Sequence, residues 1–220
     1  MTYKPPDRMT DRWRHRPELS EVHGTVYWHL LIDQAAPVRE TVATAQSTLS
    51  AFPDLHLTPD RWLHITIFPI GSRGDVSAEQ LADLIGQARD RLVPIPPIPL
   101  VVGRVLYHPE AIAVAVRPRR ALTPLFDIAR LATRASIRRS FMPDQDGPIW
   151  VPHITLAYGT ADRPAGPIIA GLGHDLPERG LVITSMSLVV QRGPEQSWNW
   201  EVIGTARLGL PDVLPGGCGW

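Results

Sequence analysis

The chain has 220 residues, 44% of them hydrophobic, and 22 basic residues balance 22 acidic ones to a formal net charge of zero. That size and composition allow one ordinary globular core or two small lobes, and they exclude binding to nucleic acid through bulk positive charge. No apolar run reaches the length of a transmembrane helix, and residues 1–21 lack the apolar stretch of a signal peptide, so a cytoplasmic protein with no membrane partner is expected.

Residues 1–22 read as a flexible N-terminal tail. Thr25 to Asp33 is apolar and β-branched, and reads as a first strand. Pro37 to Phe52 reads as a helix with proline in its first turn. Trp62 to Ile70 reads as a strand ended by Gly71. Ser77 and Gln80 stand three apart, a capping-box pattern that opens a helix to about Leu92. The proline-rich run from Pro94 to Pro99 marks a change of direction and a candidate boundary between halves. Leu100 to Tyr107 and Ala111 to Val116 form a hairpin through His108, Pro109 and Glu110. Thr123 to Arg139 reads as a helix, with Thr123 as its N-cap. Phe141 to Pro148 reads as a loop, Ile149 to Tyr158 as a strand, and a short helix is expected near Ile168. Leu181 to Gln191 and Trp200 to Leu208 complete the fold as two strands.

These elements define a bilobal domain over residues 23–210, with residues 211–220 as a flexible C-terminal tail. The fold class is α+β, with two roughly similar lobes. No glycine-rich Rossmann or P-loop pattern is present, so nothing indicates NAD or ATP as a cofactor. The single cysteine, Cys218, excludes an intrachain disulfide and a cysteine-based zinc cluster.

One motif occurs twice. His64-Ile65-Thr66-Ile67 returns as His153-Ile154-Thr155-Leu156, each inside a predicted strand. Strand side chains alternate between faces, so histidine and threonine share one face and the apolar residues take the other. One such tetrapeptide is weak evidence, because histidine and threonine are ordinary strand residues. Two copies on facing strands would place two imidazoles and two hydroxyls around an anion.

At these residues the chain resembles the 2H phosphoesterase superfamily, and most closely the RNA 2′,3′-cyclic phosphodiesterases or 2′-5′ RNA ligase-like proteins, which carry paired His-x-Thr-x motifs. The resemblance covers about residues 24–208. It implies two lobes related by a pseudo-twofold axis, each an antiparallel sheet with helices on its outer face and one motif, a phosphate held in the cleft between them, and no metal or organic cofactor. It leaves the substrate open. Members act on RNA ends, 2′-5′ linkages, cyclic phosphates of ADP-ribose or uridine tails.

Hydrolysis of a cyclic phosphodiester needs a base to activate water and an acid to protonate the departing ribose oxygen. Histidine suits both tasks near neutral pH. His64 and His153 are therefore the expected catalytic pair, and the near-symmetry of the motifs leaves open which is acid and which base. Thr66 and Thr155 are expected to bind the non-bridging phosphate oxygens.

His29 on the first strand, and Trp62 and Trp150 beside the motifs, are candidate substrate contacts. Each has a plain structural alternative: a satisfied strand histidine, or a tryptophan supporting the motif strand. Arg130, Arg134 and Arg138 would line one helix face, either as a solvated face or as a strip for an RNA backbone. Lys4 is the only lysine; every other basic residue is arginine, which suits phosphate but also follows from a GC-rich genome.

The leading expectation is a metal-independent phosphoesterase, a monomer, acting on RNA ends that carry a cyclic or 2′-linked phosphate. A small cyclic nucleotide or an ADP-ribose cyclic phosphate is the alternative substrate, and the neutral charge leans toward it. A non-catalytic RNA- or nucleotide-binding protein on the same fold, and a histidine-based metal protein, are the readings from other classes. The last lacks a third ligand at familiar spacing.

Overall fold

The computed structural model describes residues 4–14, 24–137, 150–192, 195–197 and 199–209. Two antiparallel sheets organise them. The four-stranded sheet contains β2 (Thr25–Leu31), β4 (His64–Ser72), β10 (Ser185–Gln191) and β11 (Trp200–Arg207), in the order β11-β10-β2-β4. The five-stranded sheet contains β3 (Leu55–Leu57), β5 (Ile98–His108), β6 (Ala111–Arg117), β7 (His153–Gly159) and β9 (Asp175–Ile183), in the order β3-β7-β6-β5-β9. A short ribbon pairs β1 (Arg8–Met9) with β8 (Arg163–Pro164).

Each sheet carries its own helices. Helix α1 (Ala36–Leu49) rests on β7 and β9, and touches α4 (Gly166–Leu172). Helices α2 (Ala78–Leu92) and α3 (Thr123–Ser136) pack on each other, α2 against β11 and α3 against β4. Their apolar stripes recur at helical spacing, as Leu81, Leu84, Ile85, Ala88 and Leu92 do along α2. In β2 the alternation is equally plain: Val26, Trp28 and Leu30 enter the core, while Tyr27 and His29 take the opposite face. Ile65 and Ile67 do the same in β4, and Ile154 and Leu156 in β7. Burial of such a side chain is worth about 1.5–3 kcal/mol, so the apolar members of each motif fix the face on which its histidine and threonine stand.

The α+β class and the two lobes are as expected, but the lobes are not the two halves of the chain. Helix α1 follows a strand of the four-stranded sheet and packs on the five-stranded one; α3 follows β6 and packs on the four-stranded sheet. The run 94–99 marks a passage from α2 into β5, one of several crossings between lobes. Strands β10 and β11 return to the sheet begun by β2 and β4.

Several local expectations need correction. Residues 4–14 are docked: Met9 is fully buried, β1 pairs with β8, and the Trp13 ring packs on His56 and Tyr158. Polar composition alone hid this, because the segment is held by one buried methionine, the Trp13 ring and backbone bonds to distant residues, such as the Thr10 N–H to the Pro109 carbonyl oxygen. The predicted strand Leu181–Gln191 is two strands in different sheets, broken at Thr184. Thr123 is the first residue of α3 and makes no capping bond; the position before it is Leu122. Gly71 lies within β4, at a φ of 143°, where it pairs with Val26. Strand β3 was not anticipated; its three residues are too few to show a period. The capping box of α2 is present, with the Gln80 amide N–H donating to Ser77 Oγ and the Ser77 amide N–H to Gln80 Oε1. The predicted loop 141–148, Arg138, Cys218 and the C-terminal tail lie outside the described residues.

Candidate active site

Strand β4 forms one edge of the four-stranded sheet, β7 lies between β3 and β6 of the other, and the two strands touch. Each begins with its motif histidine. The two histidines are held in the same way. His64 Nδ1 lies 2.8 Å from the Trp62 carbonyl oxygen, and His153 Nδ1 lies 2.7 Å from the Val151 carbonyl oxygen. A carbonyl only accepts, so Nδ1 carries the proton in both rings. In the neutral imidazole this tautomer reserves Nε2 as the base.

The environments differ. His153 is exposed, whereas His64 is 8% exposed and closed in by aromatic rings. Its ring stacks on His29, with centroids 4.1 Å apart and planes 21° from parallel, and meets Trp200 edge-on at 4.8 Å. Burial pushes the His64 imidazole down to about 4; the bond to the Trp62 carbonyl opposes this, and the charge of nearby His153 adds to it. At neutral pH His64 is therefore an uncharged imidazole with its proton on Nδ1.

Thr66 and Thr155 follow on the same faces. Thr155 is buried and Thr66 half-buried. In register, Thr66 is paired with His29 of β2, and Thr155 with Ala113 of β6.

The three candidate substrate contacts have different places. His29 is 1% exposed, so it cannot touch a ligand in this structure; it lies between Tyr27 and His64 as part of the stack. Trp150 donates its indole N–H to the Thr66 carbonyl oxygen at 3.2 Å and stacks on Phe126, so it braces β4. Trp62 is half-buried against Trp200, with centroids 4.7 Å apart, and the Arg61 guanidinium lies over its ring. Both Trp62 and Trp200 line a cavity of about 330 Å³, together with Leu31, Leu63, Val202 and the Arg39–Asp60 ion pair.

Sequence reasoning missed Trp200. It opens β11 opposite Gln191, and its ring packs against His29, Trp62 and His64, which stand far from it in the sequence. No local motif marks it. Arg130 is engaged by Asp127 at 3.2 Å on its own helix. Among the described residues no group of three or more His, Cys, Asp or Glu side chains is gathered as a metal site requires.

The architecture is shared with solved structures. TT0787 of Thermus thermophilus superposes with a TM-score of 0.62 at 19% identity, covering 84% of this chain and 98% of its own. E. coli LigT complexed with ATP gives 0.63 at 17% identity, covering 85% and 99%. The MHV ns2 PDE domain gives 0.53 at 16%, covering 76% and 98%. A comparison with curated proteins finds no match. The family model described as the 2′-5′ RNA ligase superfamily matches residues 33–195, which include both motifs, and the chain therefore belongs to that superfamily, the 2H phosphoesterases.

Proposed function

We propose that the chain is a metal-independent cyclic phosphodiesterase that opens 2′,3′-cyclic phosphates, at RNA ends or on single nucleotides, with His64 and His153 as its acid–base pair. The observation that carries this reading is the duplicated device: two motif histidines, each with Nδ1 bonded to the carbonyl two residues earlier. Family membership supports a phosphoester substrate.

In this mechanism the substrate phosphate lies between the motifs. His64, uncharged at neutral pH, takes a proton from the attacking water through Nε2. His153, open to solvent, supplies a proton to the departing ribose oxygen. The hydroxyls of Thr66 and Thr155 donate to the non-bridging oxygens, which gather charge in the transition state. The P–O bond to one ribose oxygen breaks as the bond to water forms, and the product is a ribose phosphate monoester. The two imidazoles finish with exchanged protonation and reset through solvent.

The cavity beside Trp62 and Trp200 is roomy enough for a nucleobase and mostly apolar, so it is the proposed place for the base of the terminal nucleotide. E. coli LigT, a fold neighbour, has been solved with ATP and with 3′-AMP. The neutral net charge favours a short substrate over a long RNA tract. The test is incubation with 2′,3′-cyclic AMP, and separately with an oligonucleotide ending in a 2′,3′-cyclic phosphate, in EDTA. Ring opening of either supports the reading; the relative rates assign the substrate class. Binding of both without turnover would support a non-catalytic nucleotide-binding protein instead.

A further inference from the structure

We propose that His29 is a positioning residue that aims the Thr66 hydroxyl into the cleft and holds the His64 ring in its working plane. The inference rests on the reading of the site given above.

His29 is 1% exposed, and its Nδ1 is buried with no hydrogen-bond partner. Its Nε2 faces Thr66 Oγ1 in a long contact of 3.5 Å. A neutral imidazole has one N–H and one lone pair, so there are two tautomers. A proton on Nδ1 would bury a donor with nothing to receive it. A proton on Nε2 directs that donor to Thr66 Oγ1 and leaves only a lone pair unmatched at Nδ1. An unmet buried donor is costly, so the Nε2–H tautomer is the one the surroundings select. Burial also holds the ring uncharged.

The consequence falls on Thr66. Left alone, its hydroxyl would donate to an imidazole lone pair and be lost to a ligand. With His29 donating, Thr66 Oγ1 becomes the acceptor, and its own hydrogen is left to point at a phosphate oxygen. The His29 ring also lies flat under His64, so one side chain orients both polar members of the first motif. At the second motif the residue paired with Thr155 is Ala113, whose side chain offers no donor. The two half-sites are therefore alike in their motifs and unlike in what stands behind them.

The amide nitrogen of glutamine can reach the place of Nε2, whereas phenylalanine keeps the ring and loses the donor. Turnover of 2′,3′-cyclic AMP should fall about tenfold in His29→Phe with KM little changed, and His29→Gln should recover most of it. His29→Phe placed on Thr66→Val should cost nothing beyond Thr66→Val alone. If His29 only fills space, phenylalanine will be the better replacement and the two substitutions will add; either result overturns the proposal. If Thr66→Val itself leaves turnover unchanged, or the wild type does not turn the probe over, the reading of the site has failed instead. The ring state is then decided separately by ¹⁵N spectra of the wild-type histidines at pH 7. A proton on Nε2 of His29 is expected, and a proton on Nδ1 overturns the proposal whatever the activity.

Discussion

The indole N–H of Trp150 donates to the carbonyl oxygen of Thr66, so the segment leading into the second motif strand is tied to the backbone of the first. Trp150 precedes β7 of one sheet, and Thr66 lies in β4 of the other. The bond spans the line along which the lobes meet, and the Phe126 ring from α3 backs the tryptophan. Relative placement of the two histidines thus depends on side chains as well as on strand pairing.

Replacing Trp150 with phenylalanine keeps an aromatic ring against Phe126 and removes the bond to Thr66. The expected cost is about 1 kcal/mol of stability. A loss in kcat larger than the change in KM should accompany it, because the reacting groups rather than the binding surface are displaced. Denaturant titration and steady-state kinetics on the same preparation check this.

Thr66→Val and Thr155→Val keep the β-branched shape and remove one hydroxyl each. Turnover is expected to fall by roughly 10²-fold per hydroxyl, with little loss of stability. Steady-state rates on 2′,3′-cyclic AMP measure it. Unchanged turnover in both variants contradicts a phosphate-holding role.

His64 is neutral in the folded protein down to about pH 4, whereas an unfolded histidine protonates near 6.5. The unfolded chain therefore binds a proton first as pH falls. The stability that goes with a neutral His64 is complete above the unfolded value and is lost on descending from 6.5 toward 4. By pH 5 this histidine alone accounts for about 2 kcal/mol. His29, also held below its ordinary value by burial, acts in the same direction. Urea titrations at pH 7.5 and 5.0 test this, and His64→Asn should lose less stability over the interval.

The same shift fixes the sign of the rate profile. If neutral His64 is the base, kcat/KM stays high as pH falls from 7 to 5, because the base is not yet protonated. An acid limb near 6.5 would contradict the assignment of His64 as base.

Ser77→Ala is a control far from the reaction. It removes the hydroxyl that receives the Gln80 amide and should cost about 1 kcal/mol with kcat unchanged.

Both motifs were legible from alternation alone, since Ile65, Ile67, Ile154 and Leu156 had to face the core. The N-terminal ribbon, the crossing of α1 and α3 between lobes, and the place of Trp200 were not. Each depends on contacts between residues far apart in the chain, and no local period or propensity encodes those. His29 shows the limit most clearly. Its strand and face could be read, but its depth under His64 follows from the pairing of β2 with β4 and the arrival of β11.

The paired-histidine mechanism is tested by hydrolysis of an oligonucleotide ending in a 2′,3′-cyclic phosphate, in EDTA, comparing the wild type with His64→Ala and His153→Ala. Ring opening by the wild type is expected, with a loss of about 10²-fold or more in each variant. Full activity in either variant would contradict the paired-histidine mechanism.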